Sequence, residues 1–490
     1  MGAGGYTTIR IRDGAIHPGL TYCDAGHIRS GIDNDSTLAT GEIKLAAGII
    51  NKRFEVTPPQ VEPTDSGWYL ASGPELTLNP LPGDVTCDCL VIGAGWMGLH
   101  AARRYAELNQ HAKVLLVDAG RIGNNASGRC MGFAIDLAHN PRKRDFVEDV
   151  QGNREEYLVN LEGNDYLKSA VDMGVECDWD PQGKYHSAAT EAGVKDLQHF
   201  SRALDKMGQK YRWVERAEIQ EITGSKHYIR ALHHPGTILI QPAKYLKNAT
   251  RLLPDNVTVH ENTIVKSAHF GKPQHVFETS NGVIRTRKVI ICASGYLTNF
   301  GFYQNSAIPV YTFASMTRPL TDSELAQAGT GSYGLIPANS FGTTVRRTDD
   351  NRLFFRNVYS YARKFKTTTQ DVADAQVHQQ ISFDRRFPGL SGIGFVSSWG
   401  GLLTLAQNGG MVWGELAENV YGAAFCNGTG VSRGTAFGKA IAELASGMNS
   451  AAIEILKRRT PPSRAYPEII TSLGVNFVTG RRFKEAGQEV

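Results

Sequence analysis

Between residues 87 and 118 the chain passes through an apolar stretch, a glycine-rich turn, a helical stretch, a second apolar stretch and an acid. No other feature of the 490 residues limits the fold so strongly. Residues 87–92 read as a short buried strand, 93–98 as the turn, 99–109 as a helix and 114–117 as a second strand. A strand, helix and strand within about thirty residues imply a parallel pair joined by a right-handed crossover. In Val91-Ile92-Gly93-Ala94-Gly95-Trp96-Met97-Gly98 each glycine has its own task. Gly93 permits the tight turn, Gly95 lets a pyrophosphate approach the backbone, and Gly98 lets the helix pack close to the sheet. The helix start then offers free N–H groups and a partial positive charge to the phosphates. Asp118 ends the second strand, 20 residues after Gly98. A carboxylate there accepts hydrogen bonds from a ribose diol and disfavours a 2′-phosphate. Glycine turns and strand-end acids are common singly; in this order they point to a dinucleotide site.

Composition narrows the remaining classes. With 52 Lys+Arg against 48 Asp+Glu and no long basic run, neither nucleic acid nor an anionic membrane surface is expected as a partner. Charged residues at 20% and hydrophobics at 41% exclude a disordered chain. No stretch approaches the ~18 apolar residues of a spanning helix. The start, MGAGGYTTIRIRDG, has no apolar signal region, and Tyr6 breaks the myristoylation pattern. A soluble, cytoplasmic protein is expected. The seven cysteines include no CxxC pair, and Cys87 and Cys89 share one face of a strand, so buried thiols and no metal site are expected.

Residues 1–65 read as an arm, with a helix over 41–52 and prolines following. Amphipathic helices are expected over 154–173 and 191–207, and strands over 257–260, 264–269, 275–279 and 289–292. A mixed stretch runs from 306 to 390, then a glycine-rich one to 434 and an Ala-rich helix over 435–446. The pattern suggests one nucleotide-binding domain in three separated pieces, with a second domain inserted between them.

Asp118 is followed directly by Ala119-Gly120-Arg121 and, from 126, by Ala126-Ser127-Gly128-Arg129-Cys130-Met131-Gly132. Small residues of this kind suit close packing against a flat ring system. The segment resembles the D-amino-acid-oxidase-like flavoproteins, most closely the γ-glutamylputrescine oxidase branch, with glycine and sarcosine oxidases more distant. Cys130 and Met131 depart from the usual Asn-Gly. Ser66-Gly67-Trp68-Tyr69 resembles that branch's aromatic lead-in, and Val289-Ile290-Ile291-Cys292-Ala293-Ser294-Gly295-Tyr296 a later strand and turn of the family. Ser398-Trp399-Gly400-Gly401 and Asn427-Gly428-Thr429-Gly430-Val431 resemble its C-terminal tryptophan turn and flavin loop, with Thr429 in place of the customary His. The likeness spans residues 66 to 448.

What the resemblance implies is an α/β plus α+β architecture: a Rossmann-like FAD-binding domain over 66–160, 236–305 and 391–448, interleaved with a mixed-sheet substrate domain over 161–235 and 306–390. Residues 449–490 would form a tail. FAD, held noncovalently although Cys426 stands near the flavin loop, would contact Gly93, Ala94, Gly95, Trp96, Met97 and Gly98. Asp118, Ala119, Gly120 and Arg121 would follow, then Ala126, Ser127, Gly128, Met131 and Gly132. Val265, Ala293, Ser294, Gly295, Gly400, Gly428, Thr429 and Gly430 would complete the set. The helix after that loop would direct its dipole at the reduced flavin.

The implied reaction is hydride transfer from an amine, primary or secondary, γ-glutamylated amines included, giving an imine that hydrolyses, with O2 as acceptor and H2O2 as product. Trp399 is expected beside the flavin. Arg346, Arg347 and Arg356 stand in the hairpin-like stretch 343–361, where solvated charge is the ordinary expectation. Arg356 is the candidate that points into the cavity as a catalytic group, while Arg346, Tyr359 and Tyr311 are candidates for substrate contact. In a regular strand Tyr359 and Tyr361 share one face and Arg356 takes the other. An FAD-dependent oxidase or dehydrogenase of a cyclic or N-methylated amino acid, which a pocket Arg would favour, remains open. So does a non-catalytic FAD-binding subunit.

Overall fold

The computed structural model describes residues 49–138 and 147–490. Two large sheets organise them. The first has nine strands, in the order Lys52–Glu55, Val265–Phe270, His275–Thr279, Val283–Ile291, Val85–Ile92, Val114–Val117 and Val257–His260, with the hairpin Val412–Ala417/Val420–Ala424 attached beside Val283–Ile291. Its centre is parallel: Leu90 stands opposite Leu115 on one side and Val289 on the other. These strands read as continuous apolar runs because both faces are covered, and Leu90, Val91, Leu116 and Val289 are fully buried.

The helix Trp96–Leu108 crosses one face beside Val431–Ala445 and Val150–Asp172. These helices pack backbone against backbone. A Cβ on Gly438 would strike Met97 O, and one on Gly163 would strike Ser432 O. The second sheet has eight strands, in the order Phe395–Leu405, Ile308–Thr317, Leu353–Tyr361, Thr344–Arg347, Tyr333–Pro337, Lys184–Ala188, Arg230–His234 and Arg212–Glu215. The helix Thr369–Arg386 covers one of its faces, where Phe355 meets Phe383 and Phe387 edge to face.

The strands at 257–260 and 275–279 and the helix at 191–207 fall where the sequence places them. The Ala-rich helix starts four residues earlier, at Val431, directly after the glycine loop. The helix expected over 41–52 lies largely outside the described residues, as does Cys23. Its last residue, Lys52, instead begins a strand that pairs antiparallel with Val265–Phe270. An open sheet edge offers unpaired N–H and C=O groups, and these outcompete local helix formation. The region 449–490 forms two helices, Ala451–Lys457 and Glu468–Ala486. Among the described residues no His, Cys, Asp or Glu group is arranged to hold a metal, and no helix is long and apolar enough to cross a membrane.

Candidate active site

The glycine turn is built as tightly as its sequence demands. Gly93 has φ +98, and a Cβ there would meet Cys292 O at 2.7 Å. A Cβ on Gly98 would fall inside the radius of Gly93 O. The following helix takes Gly95 as N-cap, which has no side chain to cap it; Trp96 N is taken by Ser127 Oγ, and the N–H groups just behind it are left for a ligand. Asp118 is buried and fastens the turn to the next loop. Its Oδ2 accepts from Ala94 N at 2.8 Å and from Asn125 Nδ2 at 3.4 Å, its Oδ1 from Gly120 N at 2.9 Å. Burial pushes its carboxyl above the ordinary value, while the two backbone N–H groups pull against that.

Three further loops converge on the glycine turn and the start of its helix. Ser127 Oγ accepts from Trp96 N at 3.1 Å, and Ser127 O accepts from Trp96 Nε1 at 3.1 Å. Cys292 Cβ lies 3.2 Å from where a Cβ on Gly98 would stand, and Ser294 beyond it takes φ +52. Gly430 sits against Trp96 Cδ1 and caps the helix Val431–Ala445 without a side-chain bond. Gly428, at φ +91, has open space around it, and Thr429 Oγ1 turns back to Cys426 O at 3.2 Å. Two uncapped helix starts, a buried strand-end acid and an open glycine loop fit a pyrophosphate-bearing dinucleotide.

Two expected contacts need separate description. Val265 is buried two residues beyond Thr263, whose N–H donates to Asp118 O at 2.9 Å. Arg121 directs its side chain to Asp65 at 2.5 Å and Glu75 at 3.3 Å, over the Tyr69 ring.

The second sheet grips the 126–132 loop from the other side. Trp399 Nε1 donates to Arg129 O at 3.2 Å, and Arg129 Nη1 donates to Gly400 O at 3.1 Å. The Trp399 ring is fully buried among Trp68, Phe354, Ala314 and Met316. It therefore braces the loop from within a packed layer. Arg346 and Arg347 are not the solvated hairpin charges expected: both are buried. Arg346 Nη1 donates to Ile240 O at 2.6 Å and Met131 O at 3.0 Å. Arg347 Nη1 donates to Gly329 O at 2.5 Å. Carbonyls left over by the irregular loops claim these guanidinium groups.

Arg356 differs. It is half-buried, donates to Thr344 Oγ1 at 2.8 Å and to the Tyr359 hydroxyl, and has no carboxylate partner among the described residues. That Tyr359 reaches it corrects the regular-strand expectation. Val358 takes φ +58, and the pairing slips between Thr312 and Phe313, so the strand bulges and Tyr359 returns to the face of Arg356. Tyr311 does not join them; it alternates with Thr312, the partner of Tyr359, and donates instead to Glu62 Oε1 at 2.9 Å. Sequence patterns gave no sign of Glu62. Burial raises its carboxyl, and the nearby Arg129 charge opposes the rise.

A family model described as DAO, FAD dependent oxidoreductase, matches residues 88–444. The chain belongs to this family. It is an FAD-dependent oxidoreductase. Similar curated proteins include a probable oxidoreductase OrdL of Rhizobium meliloti, 24% identical over 86% of this chain and 94% of that protein. A gamma-glutamylputrescine oxidoreductase of Escherichia coli is 24% identical over 78% and 89%. Glycine oxidase from Geobacillus kaustophilus superposes with a TM-score of 0.61 at 17% identity, covering 78% of this chain and all of that one. L-proline dehydrogenase from P. horikoshii gives 0.60, also at 17% identity, over 76% of this chain and 96% of that one. At such identities the likeness to solved structures establishes the fold.

Proposed function

We propose that this flavoprotein oxidises the C–N bond of a primary or secondary amine that carries a remote carboxylate, a γ-glutamylated amine being the type. FAD, held by the glycine turn, Asp118 and the 126–132 and 428–430 loops, would supply a two-electron acceptor for the hydride leaving the substrate carbon; the substrate would leave as an imine that hydrolyses, and O2 would take up the two electrons and two protons as H2O2. Arg356 is the observation that carries the reading: a half-buried guanidinium without a carboxylate among the described residues, on the same face of the sheet as Arg346, which holds the 131–132 loop. A charge left so is suited to bind a substrate carboxylate, and Tyr359 and Thr344 orient its fork. Similarity to gamma-glutamylputrescine oxidoreductase supports the amine class.

Around the cradle, the helix starts at Gly95 and Gly430 would hold phosphate and the flavin's anionic edge, and Asp118 a ribose. Trp399 and Arg346 act as positioning residues, fixing Arg129, Met131 and Gly132. Cys426, half-buried with its thiol pushed up by burial, is a poor nucleophile, which supports noncovalent FAD.

The test is anaerobic mixing of flavin-loaded protein with amines that do and do not carry a carboxylate, and with α-amino acids. Bleaching near ~450 nm by the carboxylated amines, as flavin accepts hydride, is the expected result. Peroxide on admitting air identifies an oxidase. Bleaching by α-amino acids alone would replace this reading with an amino-acid oxidase or dehydrogenase, and no bleaching by any of them would remove it.

A further inference from the structure

Beyond the part that matches the family, the chain ends in the helix Glu468–Ala486. One side of it lies along the second sheet. Asn476 Oδ1 accepts from Tyr361 N at 3.4 Å, Glu468 pairs with Arg363 at 3.5 Å, and Phe483 meets His378 edge to face. The chain end is clamped as well. Glu489 O accepts from Arg386 Nη2 at 2.9 Å and from Thr343 N at 2.8 Å, while Glu489 Oε1 accepts from Ala189 N and Thr190 Oγ1.

The other side is bare. Ile469, Leu473 and Phe477, four residues apart and so stacked in one stripe, are 74%, 68% and 69% exposed. Tyr466 and Ile470 widen the stripe and are also exposed. A rigidly held helix with such a face is not ordinary surface, where large hydrophobics occur singly.

We propose that this stripe is a homodimer interface, the helix packing antiparallel on its copy in a second molecule about a two-fold axis at Leu473. An isologous contact must be self-complementary, and about this axis the stripe is. Ile469 meets Phe477, Leu473 meets Leu473, and Tyr466 meets Gly480, which has open space around its Cα. Two stripes of this size bury on the order of 1,000 Å², where specific interfaces begin. The basic residues do not form a cationic band of the kind that lies on a membrane, since Arg481 pairs with Glu485 at 2.6 Å and Arg482 turns to the Phe341 ring.

Sedimentation velocity of the full, flavin-loaded chain tests this. The expected species has twice the monomer's 53.5 kDa. Leu473→Glu and Leu473→Lys each place like charges on the axis and should halve the mass, with flavin content unchanged. Mixed in equal amounts, the two variants should dimerise again, because opposite charges then meet. Should either variant lose flavin, Gly480→Trp, which fills the space opposite Tyr466, gives the same halving. A monomeric wild type overturns the proposal, as does a Leu473→Glu variant that keeps its mass or a mixture that stays monomeric. A monomeric wild type that pellets with phosphatidylserine vesicles, while Leu473→Glu does not, would assign the stripe to a membrane surface instead.

Discussion

The two sheets meet at the 126–132 loop but specify their site in opposite ways. Around the glycine turn the nine-stranded sheet uses what is absent: missing Cβ atoms at Gly93, Gly95 and Gly98, and N–H groups left without caps. The eight-stranded sheet uses charged side chains, and what each does depends on its neighbours. Arg346 and Arg356 stand on one face of two adjacent strands, two residues apart in register, yet the first is consumed by carbonyl groups and the second keeps its charge available. A site made of exclusions tolerates almost no substitution; a site made of charges can be retuned one residue at a time.

The sharpest way to break that contrast is at Gly98. Gly98→Val would drive a side chain into Gly93 O and the Cys292 Cβ, so the helix start must move off the sheet. The expected outcome is loss of essentially all bound flavin, read from absorbance near ~450 nm relative to protein. Retained flavin would mean that the turn is looser than the packing implies.

Arg346→Met ranks next. It keeps the stem but leaves Ile240 O and Met131 O without their buried donor, at about 1–3 kcal/mol for each unsatisfied group. Thermal melting should fall by several degrees and flavin should dissociate more readily. A variant with an unchanged melting curve would make Arg346 a dispensable charge.

These two residues also show how much the sequence reveals. Gly98 is legible because only a missing side chain explains that spacing after a strand, and the strands, helices and glycine loops around it follow the same local rules. Arg346 is not. Its fate depends on carbonyl groups of residues 131 and 240, more than a hundred positions away, and no local pattern records them. Tyr359 is misread for a related reason: a bulge at Val358 reverses the alternation, and valine rarely takes the left-handed conformation that makes it. Glu62 and the C-terminal helix fall outside any motif, so only the folded chain shows what they touch.

Arg356→Ala should separate the second sheet's chemistry from its architecture. Thr344 and Tyr359 lose a partner that is only half-buried, so stability and flavin content should hold. KM for a carboxylated amine should rise about tenfold or more, the value of one charge-assisted contact, with kcat changed much less. Loss of flavin instead would move Arg356 from substrate binding to scaffold.

The smallest expected effect returns to the first sheet, where a charge does influence the exclusions. Glu261 Oε1 accepts from Ile122 N at 2.5 Å behind the loop after Asp118. Burial, aided by the Asp118 charge, raises its carboxyl from 4.5 to about 7. The folded chain therefore keeps this proton between about pH 4.5 and 7 while the unfolded chain has lost it. With more protons on the folded state, stability from this group falls as pH rises across that window. Glu261→Gln accepts the same N–H without ionising, so it should melt a few degrees higher than the wild type at pH 8 and draw level towards pH 4.5. A constant gap across that range would mean that the carboxylate is already ionised at low pH, and that the Ile122 N–H outweighs both its burial and its acidic neighbour.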